Sequence, residues 1–317
     1  MPTRRSAIRQ LSALAAGAVA ASSYGRAAFA DTVLRVANVP IEPTADLYYA
    51  DEQGFLKSAG LNVNIEVLAN GQNFIAGVVA GTFDLAPSTI PSIAAARERG
   101  IPIKVVAAQA ISTTQAPSNL LMVTRDSPLK TARDLNGKTI ACSGLNNLAA
   151  TALHAWLVKN GADVGSVKVV ELTIPTMTEA LQAQRIDAAV MSEPFLTASK
   201  GVLRALGSPY DAIASRFITS GWLASDEWLA KNADVARSFA DAMRKAHAWA
   251  NANAKSSVAI FSRITKISPD LASSMQRTVW ASTLDPQLIQ PVLDIAASSG
   301  MIPKPMTTAE LVWQPGL

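Results

Sequence analysis

The sequence predicts an α/β protein in two lobes, each a mostly parallel sheet with flanking helices. Three observations carry that expectation. Apolar runs of strand length alternate with helical periods, the pattern of parallel strands joined by helical crossovers. A strand-turn-helix unit recurs at Gly81 to Gly100, Ile140 to Trp156 and Ala188 to Lys200. The 317 residues, less a 30-residue leader, leave 287, more than one compact core usually holds, and apolar residues at 49% are ample for burial.

The leader is read from Met-Pro-Thr-Arg-Arg-Ser-Ala-Ile-Arg, the small apolar run Leu11 to Ala21, and Ala28-Phe29-Ala30, a small-x-small cleavage pattern. It predicts a secretory signal over 1–30, a mature start at Asp31 and a periplasmic address. Arg4 and Arg5 stand as in a twin-arginine motif, with Ala7 where an aromatic is usual, so the Sec route stays open. The apolar run is too short and alanine-rich to span about 30 Å of hydrocarbon. Four of the 28 basic residues (Arg4, Arg5, Arg9, Arg26) lie in the leader, so the formal +4 falls to balance, 24 against 24, in the mature chain. That leaves no basic block for nucleic acid or acidic lipid. Cys142 is the only cysteine; it permits no intrachain disulfide and reads as a small buried hydrophobe at a strand end.

In order, Val33 to Asn38 is a strand, Val39 to Thr44 a proline-punctuated loop, Ala45 to Phe55 a helix, Asn62 to Leu68 a strand, and Asn70-Gly71 a turn into the helix Phe74 to Ala80. Phe83 to Ala86 is an apolar strand ending at Pro87. A polar turn with Ser88 and Thr89 follows, then a helix with Pro91 near its first position, run by Ile93 to Ala95 and closed by Gly100. Ile103 to Gln109 is a strand. Asn119 to Thr124 reads as the first crossing between lobes, and Thr131 to Leu135 as a short segment. In the second lobe, strands at 138–142, 167–172 and 186–191 alternate with helices at 146–159 and 176–184, the latter with a Thr176-x-x-Glu179 capping box. Phe217 to Ala224 reads as the return crossing. Helices follow at 225–231, 234–253, 256–264, 270–280 and 286–298, and Thr307-x-x-Glu310 caps a last one. The lobes are therefore expected at 31–121 with 220–317, and at 122–219.

Signatures of catalysis fail on inspection. Gly137-Lys138-Thr139 precedes a strand, and Ala132 stands where a phosphate loop needs its first glycine. His154 and His247 are the only histidines, each in mid-helix without an i+4 partner, so neither a metal site nor a His-based triad is expected, and no cofactor. Trp249, Trp280 and Trp313 fall on predicted helices as packing residues. What remains is a set of polar turns: Pro40, Glu42 and Thr44; Ser88 and Thr89; Ser143, Gly144, Asn146 and Asn147; and Glu193. Strand ends that feed helix N-termini are where α/β sheets hold ligands, although a Ser or Thr there also serves simply as a helix cap. A buried carboxylate wants a cationic or donor group, so Glu42 and Glu193 read either as ligand contacts or as solvated or tethering residues. No Arg or Lys lies in these turns. An anionic end of a ligand would therefore rest on helix N-termini, with a donor near Glu193.

Four stretches carry a resemblance: Ala50-Asp51-Glu52-Gln53-Gly54-Phe55-Leu56-Lys57-Ser58-Ala59-Gly60-Leu61; Ala80-Gly81-Thr82-Phe83-Asp84-Leu85-Ala86; Asp134-Leu135-Asn136-Gly137-Lys138-Thr139-Ile140-Ala141; and Ala180 to Ala188 running into Glu193-Pro194. Over most of its length the mature chain resembles the periplasmic solute-binding proteins of ABC importers for nitrate, sulfonate, taurine and pyrimidine precursors of thiamine. The resemblance implies the type II periplasmic binding fold, with two crossing strands, and a small polar solute held in the cleft. It also implies a monomer that delivers the solute to an ABC permease in the inner membrane. The sequence departs from its relatives in Val39 to Asp46 and Ser143 to Asn147, where the family itself varies. The alternative is an enzyme on the same fold acting on a small carboxylate or pyrimidine precursor; the export signal argues against it.

Overall fold

Leu34, Val36 and Ala37 are buried along β1 (Val33–Asn38), the strand that frames the first group of sheets in the computed structural model. The structure describes residues 33–68, 71 and 73–314; the predicted signal, its cleavage junction and Asn70 of the expected turn lie outside them. β1 runs parallel to β2 (Asn62–Val67), with Val33 opposite Asn62. The crossover is α1 (Asp46–Glu52) and α2 (Phe55–Ser58), two helices where the apolar period suggests one. The break is at Gly54, whose φ of 69° is left-handed. α3 (Phe74–Val79) leads to β3 (Ala86–Thr89), which a parallel bridge between Val36 and Leu85 holds beside β1. α4 (Ile90–Glu98) and β4 (Ile103–Ala108) follow.

The chain leaves this group through β5 (Ala110–Thr113) and enters a second sheet as β6 (Asn119–Thr124). There β7 (Thr139–Cys142), α5 (Leu148–Lys159), β8 (Lys168–Glu171), α6 (Ile174–Gln182), β9 (Ala188–Ser192), α7 (Phe195–Ala198) and β10 (Leu203–Gly207) complete five strands in the order β10-β6-β9-β7-β8. It returns through β11 (Arg216–Ile218), antiparallel to β5, and β12 (Ser220–Ser225). Then come α8 (Asp226–Lys231), α9 (Ala233–Ala252), α10 (Ala254–Thr265), α11 (Pro269–Ser274), β13 (Val279–Trp280) on the free edge of β5, α12 (Pro286–Ser298) and α13 (Thr308–Leu311).

Both groups share one plan. β12 lies antiparallel between β3 and β4, as β6 lies between β9 and β10, so the orders β2-β1-β3-β12-β4 and β8-β7-β9-β6-β10 correspond strand for strand. Each sheet is mostly parallel, with one antiparallel strand. An aspartate locks the first strand of each plan in the same way. The Asp84 N–H donates to the Arg35 carbonyl at 2.8 Å while its carboxylate accepts the Arg35 N–H at 2.7 Å; Asp187 does the same with Thr139, at 2.8 Å both ways. Three residues before each aspartate the chain turns left-handed, at Gly81 (φ 71°) and at Gln184 (φ 56°). Two of the four resembling stretches thus encode one structural clamp, used twice.

Both faces of the five-stranded sheet are covered, so its inner strands β6, β9 and β7 carry apolar runs instead of alternating, while the edge strands β8 and β10 keep charged residues. Val123, Ile140, Cys142 and Val190 pack on one side, and Met122, Ala141, Ala189 and Met191 on the other. Cys142 is fully buried, as expected at the end of β7, and burial pushes its thiol up to about 12.

Several expectations need correction. Strand β3 begins at Ala86 and runs through Pro87, Ser88 and Thr89 straight into α4, because β12 pairs with all four residues; there is no polar turn between them. The capping box at Thr176 is absent: α6 starts two residues earlier with Thr173 as N-cap, and Glu179 pairs with Arg185 instead. The box at Thr307 and Glu310 is present. The helix expected over 270–280 ends at Ser274, and Trp280 sits on β13, drawn out of helix by pairing with β5; Trp313 lies beyond α13.

Candidate functional site

Loops at the carboxyl ends of β1, β7 and β9, with the start of α4 after β3, place the sequence-predicted polar residues, and the segment Gln276–Thr278 before β13 joins them. The first loop is closed on itself: Asn38 Nδ2 donates to the Thr44 carbonyl at 3.1 Å, and the Thr44 hydroxyl donates to the Val39 carbonyl. Thr44 therefore shapes the loop, with its one hydroxyl proton already engaged. Pro40 is exposed. Glu42, only 1% exposed, turns inward.

Ser88 sits half-buried in β3 opposite Gly221. Thr89, the N-cap of α4, makes no capping bond; its hydroxyl lies 2.8 Å from that of Ser92, which donates to the Asn146 carbonyl at 2.9 Å. Since Ser92 has a single proton, Thr89 must be the donor to Ser92. This short relay joins α4 of the first group to the loop after β7. In that loop Asn147 caps α5, accepting the Ala150 N–H at 3.2 Å and donating to the Ser143 hydroxyl at 3.0 Å. A Cβ on Gly144 would stand 3.0 Å from the Asn147 amide nitrogen, a contact tight enough that the capping side chain would have to shift. Asn146 is exposed and contributes its carbonyl.

Glu193 is 5% exposed. One carboxylate oxygen accepts the Thr197 N–H at 3.0 Å; the other accepts the Thr197 hydroxyl at 2.8 Å and the Gln276 N–H at 3.1 Å. The last bond reaches across from the five-stranded sheet to the segment before β13. Two residues on, the Thr278 N–H reaches Glu42 at 3.3 Å, and Arg277 Nη1 meets the other Glu42 oxygen at 2.9 Å. Gln276–Thr278 is thus bracketed by two buried carboxylates from opposite sheet groups.

Arg277 corrects the expectation of a site without a cation. Its guanidinium also donates to the Tyr49 hydroxyl at 2.9 Å and to Ser257 at 3.2 Å, and lies 5.6 Å from the centroid of the Phe261 ring. Burial pushes the Glu42 carboxyl up to about 7, outweighing the pull of Arg277 and the Thr278 amide, and Glu193 adds to the rise as a second negative charge. The structure brings Glu42 and Glu193 to one segment and Thr89 to Asn146; Pro40 and Ser88 join neither cluster. Gln276, Arg277 and Thr278 carried no sequence signal, because they fall in a run whose apolar spacing reads as helix.

A family model described as NMT1/THI5 like matches residues 43–257. No curated protein sequence matches the chain. Among solved structures, the alkanesulfonate-binding protein SsuA from Xanthomonas axonopodis pv. citri, bound to MOPS, is similar at 18% identity with a TM-score of 0.73, over 90% of this chain and 99% of that one. The periplasmic nitrate-binding protein NrtA from Synechocystis PCC 6803 is similar at 15% identity and 0.73, over 88% and 85%. The desulfurization enzyme DSZB has the same fold at 15% identity and 0.63, over 88% and 96%. The fold is that of the periplasmic binding proteins.

Proposed function

The chain belongs to the NMT1/THI5-like family, and on that premise we propose that it is the extracytoplasmic solute-binding component of an ABC importer. In this reading it is exported, cleaved after Ala30, and captures a small polar organic solute between two lobes, residues 31–121 with 220–317 and residues 122–219. It then hands the solute to an inner-membrane permease, acting as a monomer. The observation that carries the reading is the meeting of Glu42 and Glu193, from the two sheet groups, on either side of Gln276–Thr278. A buried site with two carboxylates and one guanidinium favours a ligand with both a donor and an acceptor end, such as a taurine-like zwitterion, an amino-bearing sulfonate or an amino-heterocycle. Bare nitrate, offering only acceptors, fits it less well.

A thermal-shift panel of sulfonates, taurine, nitrate and amino-pyrimidines tests this. A true solute at a hundred times its dissociation constant stabilises the fold by about 2.7 kcal/mol, a rise of several degrees. Flat melting curves across the panel would overturn the solute class. The likeness to DSZB keeps an enzyme as the second reading. Cys142, fully buried with its thiol pushed up to about 12, is unsuited to be its nucleophile. Mass spectrometry of the same panel after incubation with the protein decides, since a product in place of an unchanged solute would favour the enzyme.

A further inference from the structure

Behind the first loop lies a polar cluster that the proposed solute chemistry does not use. Asp46, at the start of α1, is fully buried, and His247, in mid-α9, is 2% exposed. His247 Nδ1 lies 2.7 Å from the Ala281 carbonyl and Nε2 lies 2.9 Å from Asp46 Oδ2, while the ring stacks on Trp280 at 5.4 Å and 13°. A carbonyl only accepts, so Nδ1 carries a proton. Nε2 faces a carboxylate oxygen that already accepts the Trp222 indole N–H at 2.9 Å; the other oxygen takes the Leu47 N–H at 3.0 Å and lies 3.4 Å from the Gln109 amide nitrogen. A neutral ring protonated at Nδ1 would point its Nε2 lone pair at that carboxylate. The contact needs one further proton; both Asp46 oxygens already act as acceptors, from the Leu47 N–H and the Trp222 indole, which leaves that proton to the ring.

We propose that His247 is an imidazolium buried against the Asp46 carboxylate, and that this pair is a positioning device for the loop carrying Glu42. The pair joins four distant segments: the start of α1, α9, Trp222 on β12, and Gln109 with Ala281 beside β5 and β13. Asp46 follows Thr44 by two residues, so the bond that anchors Asp46 also anchors the end of the self-closed loop. The titratable groups facing the pair are few. From α1 comes the Tyr49 phenol, raised by burial and, to a lesser degree, by Glu42 and Asp46; from the 276–280 segment comes Arg277, bonded to both Tyr49 and Glu42. β12 and Gln109 contribute neutral donors.

The positioning role rests on reading residues 39–45 as a solute loop, but its test needs no solute. In ¹⁵N-histidine NMR of the full chain carrying His154→Gln, to leave one histidine, both ring nitrogens should be protonated at pH 7. A single protonated nitrogen would overturn the imidazolium; should the variant not fold, the two-histidine wild type gives the same answer from one doubly protonated ring. Hydrogen exchange at pH 7 should show residues 41–49 protected in the wild type. In His247→Gln that protection should be lower by at least about tenfold, while protection in the five-stranded sheet is unchanged. Equal protection of residues 41–49 in the two proteins would overturn the positioning role. If taurine and the other panel members fail to bind while both results hold, the solute reading fails and the buried pair stands.

Discussion

Replacing Glu193 by Gln tests whether one carboxylate ties the two sheet groups together. The substitution keeps shape and removes charge. The carboxylate accepts three hydrogen bonds, from the Thr197 N–H, the Thr197 hydroxyl and the Gln276 N–H. A carboxamide has one acceptor oxygen, so in either orientation its NH2 group faces one of the two backbone N–H donors. Leaving that N–H unsatisfied costs about 1–3 kcal/mol, and the surviving bonds lose the strengthening of a charged acceptor, so a total loss of about 2–4 kcal/mol is expected. Urea denaturation should show a lower midpoint with an unchanged slope, and the melting temperature should fall by about 5–10 °C. Small-angle scattering should show a larger radius for the variant, since the Gln276 bond is the one that crosses between groups. A loss below about 0.5 kcal/mol with an unchanged radius would refute the tether.

Glu42→Gln should alter the pH profile of stability. Burial raises the folded-state carboxyl from 4.5 to about 7, so the stability this group contributes is fully present below pH 4.5 and lost as pH rises through 7. The wild type measured against the variant should therefore lose on the order of 2–3 kcal/mol between pH 4.5 and 8 in chemical denaturation, and no loss would mean the carboxyl is ionised throughout. Gly221→Ala places a Cβ 2.6 Å from Val105 Cγ1 and 2.9 Å from the Ala107 carbonyl oxygen, near the start of β12. It should destabilise by about 1–3 kcal/mol in the same assay. Gln184→Gly removes the strain of a side chain at φ 56°, where its counterpart Gly81 stands at 71°, and should raise stability by about 0.5–1 kcal/mol.

Local pattern made most of the architecture legible. β1, β4 and β6 fall within a residue or so of their apolar runs, and Gly54, Gly81 and Gly100 mark turns that need a left-handed residue. The misreadings arise where a distant strand decides. β12 extends β3 through Pro87 and Ser88, and β5 draws Val279 and Trp280 out of a helical period. At the site, Glu42 and Glu193 were legible as isolated carboxylates in polar turns, but not their partners. Gln276 lies 83 residues from Glu193, Arg277 lies 235 from Glu42, and His247 lies 201 from Asp46. Separations of that size leave no periodicity to read. Thr44, Ser143 and Asn147 bond within their own loops, and a residue that shapes a loop is chemically the same as one that faces a ligand.

The placing of β12 bears on the order in which the protein comes into being. The five-stranded sheet is drawn wholly from residues 119–207, so every strand it needs is synthesised before β11. The first group cannot close so early, because β3 and β4 are not partners and the gap between them waits for Ser220–Ser225. Until then it presents two unsatisfied strand edges to whatever is nearby. Over the stretch between Gly207 and Ser220 a growing chain therefore holds every strand of the second sheet while the first still lacks one. That late insertion delays commitment of the first group to its native pairing until residues 220–225 are made.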